Sequence, residues 1–115
     1  MLLIYGDERA LDDAAREECY RESTQLAHEI ASSGQYLAAS PLKPTSMATS
    51  VRVRHGRRLV TDGPFAETRE QLGGYFLVEA KDVDEAVGIA ARIPMASRGT
   101  VEVRPIIELA ALPER

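Results

Sequence analysis

Residues 73–80 read GGYFLVEA, and as a strand they are apolar on both sides: Phe76, Val78 and Ala80 on one, Tyr75 and Leu77 on the other. MLLIY, residues 1–5, behaves the same way, with Leu2 and Ile4 set against Leu3 and Tyr5. An antiparallel sheet that leaves one face in water alternates apolar with polar residues. These two strands do not, so the sheet that contains them must be covered twice.

The remaining elements say what does the covering. A helix is expected from about Asp12 to Ser33, with Asp12 and Asp13 suited to its first turn and Gly34 to the left-handed residue beyond its end. Its inner stripe is Ala15, Cys19, Ser23, Leu26 and Ile30. YLAASPL (36–42) is a second strand, placed at a sheet edge because Pro41 has no N–H to give a neighbour. In ATSVRVRHGRRLVT (48–61), Val51 and Val53 alternate with Arg52 and Arg54, and His55-Gly56 makes a two-residue hairpin turn. A second helix, 83–93, opens on Asp82 as N-cap with Glu85 three residues on, and ends at Pro94. Its buried stripe is Val83, Ala86, Ile89 or Ala90, and Ile93, and Gly88 within it implies tight packing. TVEVRPII (100–107) is the last strand, and the tail 108–115 is assigned to no element.

The order β-α-β-hairpin-β-α-β is that of a ferredoxin-like split βαβ domain. The predicted class is α+β, an antiparallel sheet with two helices on one face, spanning residues 1–115 as one domain. Two helices cover one face only. The other is most simply covered by a second copy of the chain, sheet against sheet. Glu79, Glu102 and Arg104 alternate onto faces that such packing would partly bury, which makes the space between part-polar and in need of partners, water or a ligand.

Charge and composition exclude other classes. With 14 Lys and Arg against 18 Asp and Glu the net charge is −4, so the surface as a whole repels phosphate backbones and nucleic acid is not expected as a partner. No run approaches the length of a membrane helix, and MLLIYGDE lacks the basic start of a signal peptide. One cysteine forms no internal disulfide, which fits a reducing, cytoplasmic setting. There is no HExxH, CxxC, GxSxG or glycine-rich phosphate loop, so no metal or cofactor is expected. Cys19 belongs to the inner stripe of its helix, His28 to the surface, and His55 to its turn.

TDGPFAETREQLGGYF, residues 61–76, is the densest segment. Asp62 precedes Gly63-Pro64, where its carboxylate can accept from backbone N–H groups one or two residues on and Pro64 stiffens the turn. Phe65, one of two Phe residues, is expected to pin the loop to the core. Thr68 and Gln71 fit the N-cap and N3 positions of one helical turn. The segment is either a rigid connector or the mouth of a cavity, with Asp62 and Glu67 as base or as ligand hydrogen-bond acceptors.

TDGPFAETREQLGGYFLVEA, with MLLIYGDE upstream and VEVRP downstream, resembles the YCII-related domain family in its DGPF-type branch over nearly the whole chain. The resemblance implies a dimeric α+β barrel with a cleft between sheets and helices. It also implies genes that often lie beside extracytoplasmic-function sigma factors. An acid–base pair has been suggested for the wider family. Gapless matching of G-x-x-L-x-A-x-P (34–41) puts its His position on Ser23 and its Asp position on Ile93, so that pair is not carried over.

The expected function is a homodimer with a small-molecule-binding or catalytic cavity between sheet and motif loop. Tyr5, Asp62, Gly63, Pro64, Phe65, Glu67, Tyr75 and Arg104 would face the ligand. The alternative is an accessory module for a sigma-factor-related partner, contacted through Arg52, Arg54, Arg57 and Arg58 of the hairpin.

Overall fold

The computed structural model describes residues 1–114, so Arg115 of the unassigned tail lies outside the described residues. The chain runs β1 (Leu2–Gly6), α1 (Asp13–Ser32), β2 (Tyr36–Pro41), β3 (Thr49–Arg54), β4 (Arg57–Asp62), β5 (Gln71–Val78), α2 (Val83–Ala90) and β6 (Thr100–Val103). Single 3-10 turns occupy Thr45–Met47 and Pro94–Ser97. The main sheet is antiparallel in the order β2-β5-β1-β6, and β3-β4 form a separate two-stranded ribbon. With β5 lying between β1 and β2, the two βαβ units interleave. This is the split βαβ arrangement expected from the element order.

Local chemistry explains the boundaries. Asp12 caps α1, its carboxylate accepting from the Ala15 N–H at 2.8 Å. At the other end the Gly34 N–H donates to Ala31 O and the Gln35 N–H to Ile30 O, with Gly34 at φ 76°. That pair of bonds is a Schellman ending, which requires a left-handed residue. Asp82 caps α2 through the Glu85 N–H, and Glu85 reaches back to the N–H of Lys81. His55 and Gly56 both have positive φ, 52° and 73°, as a two-residue hairpin turn demands.

The core is small. Leu2 and Phe76 are in register on adjacent strands and pack with Leu26 and Ile30 of α1, Ile89 and Ala90 of α2, and Ile93. Since Leu2 and Phe76 face the helices, Leu3, Tyr75 and Leu77 turn to the opposite face, where all three stay half-buried.

Several expectations are corrected. Helix α2 stops at Ala90 rather than residue 93, because Pro94 forces Ile93 into extended backbone (ψ 129°). Val83 is 58% exposed and not in the stripe, and Gly88 has open space around it rather than a close neighbour. The last strand ends at Val103; Arg104 still exchanges backbone bonds with Met1, and residues 105–107 run on beyond the sheet. Residues 68–71 form no helical turn. Thr68 Oγ1 donates to Glu70 O instead, and Gln71 already belongs to β5, which starts two residues earlier than expected. Phe65 is not a core anchor but is 80% exposed.

Much apolar surface remains outside. The accessible area is 8647 Å², against about 6200 Å² for a folded monomer of this mass. The radius of gyration is 16.0 Å where a compact domain of this length has about 13 Å. The ribbon β3-β4, with every residue exposed except Ser50, and the tail with Ile106, Ile107, Leu109 and Leu112 exposed, account for the extension.

Two glycines give a matched test of this packing. A Cβ on Gly99 would sit 2.2 Å from Tyr5 O and 3.1 Å from Gly6 Cα, so it cannot be accommodated without moving β1. Gly99→Ala is expected to destabilise by about 1–3 kcal/mol, whereas helical Gly88→Ala, with nothing within 4 Å, should stabilise by about 0.4–1 kcal/mol. Urea unfolding of both variants measures the difference.

Candidate functional site

A groove of about 1070 Å³ opens between α1 and the sheet, on the helix-covered face. Its origin lies in the α1 stripe. Leu26 and Ile30, near the C-terminal end, are buried in the core, while Ala15, Cys19 and Ser23 toward the start are only half-buried. Small side chains on that stripe leave a gap that larger ones would fill. The facing wall is made small too, by Ala39 of β2 and by Gly73 and Gly74 of β5. Gly74 also lets the strands approach, since a Cβ there would lie 3.0 Å from Ser40 O. Ile4, Phe76, Ile93 and Met95 form the apolar floor.

Most charged groups on the groove are held by partners, the exception being exposed Lys43. Glu8 accepts from the Thr45 N–H at 2.8 Å through Oε1 and from Thr45 Oγ1 at 2.9 Å through Oε2. This strut ties the β1–α1 loop to the β2–β3 connection across the mouth. Asp7 accepts from the Arg9 N–H at 3.0 Å and lies 3.8 Å from Arg69 Nε. The backbone bond from Arg9 is the chief reason that the Asp7 carboxyl titrates below its ordinary value of 3.8, partial burial working the other way and the Arg9 and Arg69 charges assisting. Arg16 binds Asp13 at 2.9 Å and Leu11 O at 3.2 Å. Ser23, Cys19 and His28 also line the groove; Cys19 is a free thiol and His28 is exposed at the rim.

The residues expected to face a ligand do not converge. Tyr75 borders the groove where β5 meets Ser40 of β2, although alternation sets its side chain on the helix-free face. Tyr5 lies at the β-bulge of β1, paired with Thr100 on the far side. Arg104 follows β6 and places a guanidinium nitrogen 3.0 Å from Glu102. Asp62 is exposed at the end of β4, Phe65 and Glu67 are exposed on the loop beyond it, and Gly63-Pro64 are half-buried at the base of that loop. The turn is fixed by the Gly63 N–H donating to Ala48 O at 2.7 Å and by Ser50 Oγ donating to Gly63 O at 2.8 Å, rather than by the Asp62 carboxylate. Gly63 takes φ 96°, which only glycine adopts easily.

Asp7, Glu8 and Thr45 were not singled out by pattern. Glu8 and Thr45 meet across 37 residues and Asp7 leans on Arg69 as well as its neighbour Arg9, and only the small residues of the α1 stripe hinted at a gap. Among the described residues no cluster of His, Cys, Asp and Glu could hold a metal ion, and no helix is long and apolar enough to cross a membrane.

The family model described as YCII-related domain matches residues 1–110. The uncharacterized protein R00369 of Rhizobium meliloti (strain 1021) is 34% identical over 110 residues, covering 91% of this chain and 89% of the relative. Ser23 and Ile93, where the matched acid–base pair would stand, both line the groove.

The strut and the Asp7 turn each predict a measurable effect. Glu8→Ala should cost about 1–2 kcal/mol, and a double-mutant cycle with Thr45→Ala should return a coupling of about 0.5 kcal/mol or more. The folded-state pKa of Asp7 is depressed, so its stabilising effect is complete above 3.8, the ordinary value that also serves for the unfolded chain, and is lost as pH falls through the lower folded value. The stability gap between wild type and Asp7→Asn should hold from neutral pH down to about 5 and close on further acidification, in thermal unfolding followed by circular dichroism.

Proposed function

The chain belongs to the YCII-related domain family, and on that premise we propose that it acts as a homodimer whose α1–sheet groove binds a small, largely apolar molecule. The observation that carries this reading is where the charges sit. Glu8, Asp7 and Arg16 are engaged with Thr45, Arg9, Arg69 and Asp13 around the mouth, while the floor is Ile4, Phe76, Ile93 and Met95. A ligand entering that space meets an apolar surface with a few polar groups, the Ser23 hydroxyl, the Cys19 thiol and the His28 ring, and the Lys43 ammonium at the exposed rim. Concave, mostly apolar sites with a few fixed polar groups are the usual form of small-molecule pockets, and the volume of about 1070 Å³ is at the upper end of their range.

Binding is favoured over acid–base catalysis by the residues at two positions. Ser23 ionises too weakly to act as a base at neutral pH, and Ile93 does not ionise at all. Asp62 and Glu67 lie outside the groove, so a reaction there would need both carboxylates brought to a ligand from the exposed loop. The dimer is supported by the surplus of about 2400 Å² of accessible surface over a monomer of this mass, an area in the range that obligate homodimers bury.

A thermal-shift panel of small apolar and aromatic metabolites tests the site. A true ligand at about 100 times its Kd adds about 2.7 kcal/mol and raises the melting temperature. Ser23→Trp, which plugs the groove, should abolish that shift. The reading fails if no compound shifts the wild type, or if the plugged variant responds equally.

A further inference from the structure

The β3-β4 ribbon is the largest feature that the groove does not explain. Cross-strand pairing of Val51 with Val60 and Val53 with Arg58 puts three valines and one arginine on one side, with Thr49 and Asp62 at its base, leaving Arg52, Arg54, Arg57 and Leu59 on the other. Those valines are 60%, 57% and 61% exposed for Val51, Val60 and Val53, although an apolar side chain is stabilised by burial. A lone two-stranded ribbon is at best marginally stable in water. It therefore needs a surface to lie on.

The main sheet has a matching vacancy of coverage. On its helix-free face, Leu3 is in register with Glu102 on β6, and Leu77 lies along β5. Glu102 Oε1 is buried and accepts no hydrogen bond among the described residues. An Arg104 guanidinium nitrogen lies 3.0 Å away, but off the line an N–H bond requires, and the Arg104 side chain is largely exposed. That carboxylate oxygen is short of one well-directed donor.

Charge distribution points the same way. Residues 49–62 hold four arginines and one aspartate, net +3, and the whole chain is −4, so the remainder carries −4 − 3 = −7. A basic arm on an acidic body is self-complementary between two copies.

We propose that the ribbon of each protomer lies valine side down on the helix-free sheet face of a second copy, with Arg58 donating to Glu102 of the partner subunit. The arms exchange reciprocally about a two-fold axis, and Val51, Val53 and Val60 cover the partner's Leu3 and Leu77. This rests on the dimer in the preceding reading and adds its mode of assembly.

Sedimentation across a concentration series tests it on the full-length chain, with circular dichroism confirming that each variant folds. Arg58→Glu and Glu102→Arg should each raise the dimer Kd about tenfold or more, the size found for close interfacial charge pairs. The double variant Arg58→Glu/Glu102→Arg should recover most of the loss. Arg54→Glu, on the other side of the ribbon, should change little. A wild type that is monomeric at micromolar concentration overturns the dimer premise itself. A dimeric wild type indifferent to both single changes, or a double variant no better than their sum, overturns the docking mode alone. So does Arg54→Glu weakening the dimer more than Arg58→Glu, because the arginine side would then be the one that docks.

Discussion

Leu2 is the residue on which the rest depends. It sits in the middle strand of the main sheet, in register with Phe76 on one neighbour and Val103 on the other. It is 1% exposed. Ile30 from α1 and Ile93 from beyond α2 close over the same point, so one contact joins the sheet to both βαβ units. Truncating a buried leucine costs about 2–5 kcal/mol, a large part of the stability of a small domain. Because the core gathers at that place, everything distant from it is free to do something else.

The groove follows directly. Helix α1 is clamped at its C-terminal half by Leu26 and Ile30, and the small residues of its first half cannot follow the sheet inward. A gap of this kind would normally collapse or be filled, because unfilled apolar space forfeits dispersion contacts. The Glu8–Thr45 strut holds the opposite rim away from α1. A two-point bond from one carboxylate is directional, so it fixes the loops relative to each other as well as holding them together. The opening is thus built into side-chain size and propped by polar bonds.

Much of the fold was legible in the chain. Alternation in residues 1–5 and 73–80, the Asp12 and Asp82 caps, Gly34 and His55-Gly56 each act through neighbours within a few residues, and each appears where pattern places it. What was not legible depends on distant partners. Phe65 looked like an anchor because aromatic residues are usually buried, but its loop is turned outward by bonds from Ala48 and Ser50 at the ribbon base. Residues 68–71 had the residues of a helical turn, yet pairing with Gly6 of β1 draws Gln71 and those after it into the sheet, where the strand ladder outweighs one local cap. Ligand-facing residues were sought on the helix-free face because its apolar character shows in the sequence. A cavity made by missing bulk leaves no comparable mark.

The two apolar features on opposite sides of the sheet therefore ask for different occupants. The groove is concave, with its rim charges other than Lys43 engaged, and suits something small that leaves those bonds intact. The helix-free face holds a buried oxygen lacking a directed donor beside aliphatic side chains, which suits a surface able to bring both valines and a cation. A small apolar ligand supplies no donor to Glu102, and a rigid ribbon is too wide to enter a cleft floored by Phe76 and Ile93 without displacing α1. Exchanging the occupants would leave the Glu102 oxygen with only its misdirected contact to Arg104. The division of labour between the faces thus rests on where each unsatisfied group lies.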